Sequence, residues 1–221
     1  MTAGRDGDVE VGTGGDAGAG GGEGAAEGRT PPRVPGSFAL HPHPTSWTPP
    51  GWEVNVATRW STGALLVEYT LAVPGGRLML PRRSAVPSVR DFLWKRTCGE
   101  LFVGVRGEPG YIEFNFSPSG DWASYAFDGY RENSRARPWR GPQPEVRIVP
   151  GEGVTRLVAV VPQQAFLCLL REDRMPRLEA AFTLVLEADR GDLSFWALVH
   201  PRAVPEFHDR AGFVADFTVP D

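Results

Sequence analysis

The sequence predicts an all-β fold, an antiparallel β-sandwich with one short helix and a disordered N-terminal leader. Three observations carry this. From Ser37 onward, short segments alternate apolar and polar residues and are rich in Val, Phe, Tyr, Trp and Thr. Proline and glycine punctuate those segments at short intervals, and a single stretch has the length and flanks of a helix. Alternation with period two puts one set of side chains on a packed face and the other set opposite, which is how the strands of an antiparallel sandwich read.

The leader comes first. Of the 27 glycines in this 221-residue chain, 12 lie in residues 1–36, where there is no aromatic residue and Val9, Val11 and Val34 are the large aliphatics. Such a segment cannot bury enough apolar surface to offset the entropy of ordering it. Residues 37–221 are therefore expected to form one ligand-binding β-sandwich domain behind a Gly-rich acidic tail. Strands are expected at 53–60, 64–72, 77–80, 100–105, 111–117, 122–127, 145–149, 155–161, 177–187, 193–200 and 213–218. Gly75-Gly76 and Gly107-Glu108-Pro109-Gly110 supply turns. The helix is Gln163–Leu170, opened by Pro162 and ended by the polar run 171–174. Asn133–Pro144 holds Pro138, Pro142 and Pro144 without an apolar period and is expected to be a long loop, a place where function often sits.

Charge narrows the function. The chain carries 23 Lys+Arg and 27 Asp+Glu for a net charge of −4, and most of that excess lies in the tail, leaving the folded part near neutral. This argues against nucleic-acid binding, which needs a clustered basic surface. The nearest approach, Arg131, Arg135, Arg137 and Arg140, reads as a solvated arginine-rich loop. No apolar run approaches the ~20 residues of a membrane span. The first 36 residues lack the basic start and apolar centre of a secretory signal, so a cytoplasmic location is expected. Cys98 and Cys168 cannot by themselves build a disulfide framework or a four-cysteine zinc site, and both are expected to be reduced and buried. No cofactor is called for.

The informative residues sit on strands. In Tyr111–Ser117, Ile112, Phe114 and Phe116 share one face and Glu113, Asn115 and Ser117 share the other. Glu100 and Phe102 lie opposite Leu101, Val103 and Val105, and Ser194, Trp196 and His200 fall on one face of the 193–200 strand. Polar side chains interleaved with tryptophan, on strands that would adjoin in a sandwich, suit a sugar-like ligand, because rings stack on apolar faces while Asn, Glu and His satisfy hydroxyls. Glu100 and Glu113 are also the type of carboxylate pair that glycosidases use, with Arg96 and Arg131 as the expected ion-pair partners. His200, His208 and Glu206 form a conceivable metal set.

Four ordered motifs carry a resemblance. The segments Arg90-Asp91-Phe92-Leu93-Trp94-Lys95-Arg96-Thr97-Cys98-Gly99-Glu100-Leu101-Phe102, Glu113-Phe114-Asn115-Phe116-Ser117-Pro118-Ser119-Gly120-Asp121-Trp122-Ala123-Ser124-Tyr125, Phe127-Asp128-Gly129-Tyr130-Arg131, and Phe195-Trp196-Ala197-Leu198-Val199-His200-Pro201 followed by Pro205-Glu206-Phe207-His208 resemble the bacterial DOMON-like domain proteins. These are similar in turn to family 9 carbohydrate-binding modules. The resemblance spans about residues 38–217, including Leu40-His41-Pro42-His43-Pro44. It implies a β-sandwich whose concave face holds a ligand, sugar in the carbohydrate-binding relatives and haem in the cytochrome relatives. By position, Trp94 and Glu100 match the tryptophan and acid of the motif that opens the binding-face strand, Asn115 and Ser117 lie on the next strand, and Trp196 and His200 flank the pocket.

The expected function is non-catalytic binding of a carbohydrate or other small polar ligand. Trp94 and Trp196 would stack, Glu100, Glu113, Asn115 and His200 would orient hydroxyls, and Arg131 would cover the mouth and meet an anionic group, with Arg96, Ser117 and His208 completing the set. The alternatives are a haem-b-binding electron-transfer domain, drawing axial ligands from His200, His208, Met79 and Met175, and a carboxylate- or metal-dependent enzyme. The sequence names no protein partner.

Overall fold

A computed structural model of the protein describes residues 33–75, 77–133, 141–170 and 176–220. The leader up to residue 32, the arginines at 135, 137 and 140, the polar run 171–174 and Met175 lie outside the described residues. The strands, in chain order, are β1 (Arg33–Val34), β2 (Gly36–Pro42), β3 (Glu53–Ser61), β4 (Ala64–Ala72), β5 (Leu78–Met79), β6 (Cys98–Val105) and β7 (Tyr111–Phe116). They continue with β8 (Trp122–Gly129), β9 (Glu132–Asn133), β10 (Glu145–Gly151), β11 (Val154–Pro162), β12 (Leu178–Ala188), β13 (Leu193–Ala197) and β14 (Ala215–Phe217).

These strands make two antiparallel layers. One runs β10-β11-β4-β3-β2 and the other β13-β12-β6-β7-β8-β9, and the pairing of His41 and Pro42 with Ala197 and Trp196 joins them through β2 and β13. The main core lies between the layers. Val56, Leu65, Val67, Tyr69, Leu71, Leu157 and Val161 meet Leu101, Val103, Phe114, Phe116, Phe182 and Leu184, all essentially without exposure. Each such side chain contributes on the order of 1.5–3 kcal/mol by leaving water. The Tyr69 hydroxyl, driven deep into this core, donates to the Glu100 carbonyl at 2.6 Å.

The second layer is also covered on its outer face. Phe102, Tyr111, Phe127, Ala181 and Phe213 form a smaller apolar cluster there, with Tyr125 and Phe207 packed against it. Its cover is the segment between β13 and β14, anchored by Arg210, which donates to the carbonyls of Gly110 (2.7 Å) and Val105 (2.9 Å) and to Glu179 (2.6 Å). Every residue of β6 and β7 is consequently buried.

Several expectations are corrected. The strand Gly36–Pro42 is absent from the expected set, because Pro35, Pro42 and Pro44 in and around it break the pattern, yet Pro42 stands at its last position, where the missing N–H costs little. The sheet takes in Arg33, Val34 and Gly36, at the end of the segment read as a tail. The helix is a 3-10 helix over Gln163–Leu169 that buries Ala165 and Phe166 but leaves Cys168 exposed, so the apolar run around that thiol does not make it a core residue. The 193–200 strand ends at Ala197. No helix among the described residues is long and apolar enough to cross a membrane.

Close approach of the layers sets a testable limit. A Cβ on Gly99 would lie 2.8 Å from Cε2 of Tyr69 and 3.1 Å from Cδ2 of Leu157. Gly99→Ala is expected to destabilise the fold by about 1–3 kcal/mol in urea unfolding; an unchanged midpoint would show that the core yields there.

Candidate functional site

Strand register places the site. Glu100 pairs with Thr183 on one side and Asn115 on the other, and in the adjacent row Phe102 pairs with Glu113, which pairs with Tyr125. Because side chains alternate, these residues share the outer face of the second layer. Glu100 and Glu113 are thus diagonal neighbours across β6 and β7.

Above them opens a cavity of about 300 Å³. Glu100 and Glu113 reach it from the sheet, and Tyr125, Phe127, Val185 and Phe195 come from β8, β12 and β13. Trp94 enters from the turn Leu93–Lys95, edge-on to Tyr125 with ring centroids 5.9 Å apart. Pro205, Phe207 and His208 come from the covering segment, and Arg131 and Asn133 from the end of the β8–β9 hairpin.

Each buried polar group has a neutral partner. Thr183 Oγ1 donates to Glu100 Oε2 at 2.9 Å, and Asn115 Nδ2 donates to Glu113 Oε1 at 2.6 Å. Asn115 Oδ1 accepts from Cys98 Sγ at 3.6 Å, which fixes the amide orientation. Tyr111 hydroxyl accepts the Arg131 N–H at 3.2 Å and stands 2.8 Å from His208 Nδ1. Its proton is therefore free for Nδ1, leaving the imidazole proton on Nε2, which lies 3.8 Å from Glu113 Oε2.

The electrostatics follow from burial. Desolvation, and repulsion from Glu113, hold Glu100 well above the usual carboxylate range; desolvation likewise raises Glu113, against the hydrogen bond from Asn115. Desolvation, with Arg131 nearby, pushes His208 down to about 4, so His208 and Glu113 are neutral and acidic neighbours, not an ion pair. Burial would raise Glu206, but hydrogen bonds from Tyr130, the His208 N–H and Arg131 outweigh it and hold that carboxyl below its ordinary value.

Five of the expected site residues line this cavity: Trp94, Glu100, Glu113, Arg131 and His208. Asn115 supports it from beneath. The others do not join them. Trp196 packs in the main core, 2% exposed, because it pairs with Leu184 and thereby shares that residue's inward face; its Nε1 donates to Ser194 Oγ at 2.9 Å. Phe195, one residue earlier, is the ring that reaches the cavity. His200 lies beyond the end of β13, its Nε2 donating to the His41 carbonyl at 2.8 Å. Arg96 pairs with Glu187, and with Ser117 it lines a separate hollow of about 320 Å³ beside Arg82, Arg83 and Arg90.

Neither expected arginine forms an ion pair with the two carboxyl groups, although Arg131 lies near enough for its charge to lower both. Arg131 does reach over the mouth, but its guanidinium is forked onto Glu206 at 3.0–3.2 Å, and Tyr130 donates to the same carboxylate at 2.8 Å. Among the described residues no group of three or more His, Cys, Asp or Glu is placed to hold a metal, so His200, Glu206 and His208 do not assemble. Nor do the described residues bring two of the candidate axial ligands for haem together at the cavity. His208 alone of the described candidates lines the cavity, while Met79 is on β5 and His200 bonds His41.

Tyr125, Phe127, Val185, Phe195 and Phe207 were not singled out from the sequence. The alternation of β8 held the signal for Tyr125 and Phe127, since they stand opposite Glu113 and Tyr111.

No family model matches the chain, and no curated protein matches it. Among solved structures the chain is similar to a candidate carbohydrate-binding protein from Bacteroides uniformis, at 18% identity and a TM-score of 0.54, over 83% of this chain and 86% of that one. It is also similar to a family 9 carbohydrate-binding module from Caldicellulosiruptor kristjanssonii. That module's complex with cellotriose gives 7% identity and a TM-score of 0.47, covering 80% of each chain. Its complex with glucose gives 8% and 0.47, covering 82% of this chain and 85% of that one. The first of these likenesses shows a shared β-sandwich fold.

The buried acids make stability depend on pH. A carboxyl whose folded pKa is raised stabilises the fold fully below its unfolded value, and that contribution is lost as pH rises toward the folded one. For Glu100 the window runs from about pH 4.5 to about pH 8. Glu100→Gln keeps the shape without the charge and is expected to be more stable than wild type at about pH 8.5. The gain should be on the order of 2 kcal/mol, or roughly 4–8 °C in melting temperature, and should vanish near pH 5. Equal gains at both pH values would contradict the assignment.

Proposed function

We propose that the protein is a non-catalytic binding protein, acting in the cytoplasm, that takes a carbohydrate or other small polar ligand into the cavity over β6 and β7. One observation carries the reading. Two buried carboxyl groups, oriented by Thr183 and Asn115, stand at the base of a small cavity whose walls are aromatic. Such a site gives rings a surface to stack on and gives ligand donors fixed acceptors, the composition of a small-molecule pocket. The fold shared with the Bacteroides uniformis protein supports the reading without identifying the ligand.

The roles follow from position. Trp94, half-buried at the entrance, is the stacking ring that the sequence picked out, with Tyr125 and Phe195 as further walls. Glu100 and Glu113 accept from ligand N–H or O–H groups. The Arg131–Glu206 fork, braced by Tyr130, closes one side of the mouth.

Calorimetry against mono- and oligosaccharides and their amino and acidic derivatives tests this. Trp94→Ala is expected to weaken binding of any ligand found by about tenfold, the worth of one good aromatic contact, and Trp196→Ala to lower stability instead. Failure of every compound to bind, or full affinity in Trp94→Ala, would overturn the proposal.

A further inference from the structure

We infer that the ligand of this cavity is a cation, an amine or quaternary ammonium group seated over Glu100 and Glu113 and bounded by the surrounding aromatic rings. The inference rests on the proposed reading of the cavity as a ligand site and goes beyond it by fixing the sign of the ligand's charge.

The first argument is charge balance. Buried carboxylates, once ionised, are as a rule paired with a cation or a metal, and without one they hold their protons, as Glu100 and Glu113 do. Glu100 and Glu113, 3% and 4% exposed, receive hydrogen bonds only from the neutral groups of Thr183 and Asn115. The bases that could serve them are engaged or uncharged. Arg131 is forked onto Glu206, Arg96 is bound to Glu187, and His208 is a neutral imidazole hydrogen-bonded to Tyr111. Among the described residues the remaining titratable groups around the pair are the Cys98 thiol from β6 and the Tyr111 and Tyr125 phenols from β7 and β8, and none brings a positive charge. Among the described residues the cavity therefore holds two acidic groups with no ion-pair partner of their own, Arg131 acting on them only from its fork with Glu206.

The second argument is the wall. Trp94, Tyr125, Phe127, Phe195 and Phe207 all line a space of about 300 Å³. The face of an aromatic ring carries partial negative charge, and rings gathered around an acidic base are the arrangement that recognises alkylammonium groups. A neutral sugar would use the rings and the acceptors but leave the carboxyl pair uncompensated. An amino sugar or a small trimethylammonium compound satisfies both.

The test uses probes matched in shape and differing in charge. Calorimetry of the full chain would compare choline with its uncharged carbon analogue 3,3-dimethyl-1-butanol at about pH 8, and glucosamine with glucose at about pH 7, where the amine of an amino sugar is still largely protonated. The charged member of at least one pair is expected to bind at least about tenfold tighter, the scale of a desolvated cation–π contact. That preference should fall to about threefold or less in Glu100→Gln and Glu113→Gln, which keep the side-chain shape. The wild-type comparison depends on no variant folding. Equal binding of charged and neutral probes, or a preference that survives both substitutions, overturns the inference while leaving the cavity a ligand site. If neither these probes nor any compound of the wider saccharide panel binds, the proposed function falls and the inference falls with it.

Discussion

The double burial of β6 and β7 is the constraint on which the rest of the structure depends. One face of this strand pair packs against the first layer through Leu101, Val103, Phe114 and Phe116, and the other lies under the segment that returns from β13 to β14. A sheet covered on both faces usually reads as a continuous apolar run. Here the second face carries Glu100, Glu113 and Asn115, so each must be satisfied inside the protein or by something that enters it. Arg210 makes the cover possible, since it spends its guanidinium on two carbonyls and on Glu179, tying the segment down without itself reaching the acids.

The acids are oriented but not neutralised. Thr183 and Asn115 each give one hydrogen bond, which fixes direction while leaving the other carboxylate oxygens with acceptor capacity to spare. The positive charge nearest the mouth is committed to Glu206 in the Arg131–Glu206 fork and reaches the acids only from there, and His208 is kept uncharged by burial and by that same arginine. Groups arranged in this way destabilise the apo fold at neutral pH. Natural sequences tolerate such a local conflict chiefly at functional sites, which makes the cavity the place in this molecule where function is best sought.

Much of the strand layout was legible in the chain. The segments 64–72 and 111–116 alternate, and Leu65, Val67, Tyr69, Leu71, Ile112, Phe114 and Phe116 are the residues that face the main core. The segment 193–200 shows where such reasoning stops. Its polar row of Ser194 and Trp196 looked like a binding face, yet Ser194 is buried as the hydrogen-bond partner of the Trp196 indole, and the pair points inward. Alternation separates two sets of side chains without saying which set meets the core, and a polar residue that serves a buried tryptophan reverses the reading. The site aromatics were missed for the converse reason. Tyr125 and Phe127 look like core residues in the sequence, and they do pack against the outer cluster, but that cluster borders the cavity.

By itself the sequence determined the all-β class, the course of most strands, the apolar and polar faces of β6 and β7, and the candidacy of Trp94, Glu100, Glu113, Arg131 and His208. The strands and their faces follow from a two-residue period and from residue chemistry, both of which are local, and the candidacy of Trp94 from the resemblance of the motif that holds it. Only the tertiary structure decided that the polar face is enclosed, that Arg96, Ser117, Trp196 and His200 stand apart from it, and that both arginines expected to neutralise the acids are engaged elsewhere. Those outcomes depend on register and on ion pairs between residues some 75 to 91 positions apart in the chain. Strand alternation cannot encode them, because it records which side a residue takes and not what will come to lie there.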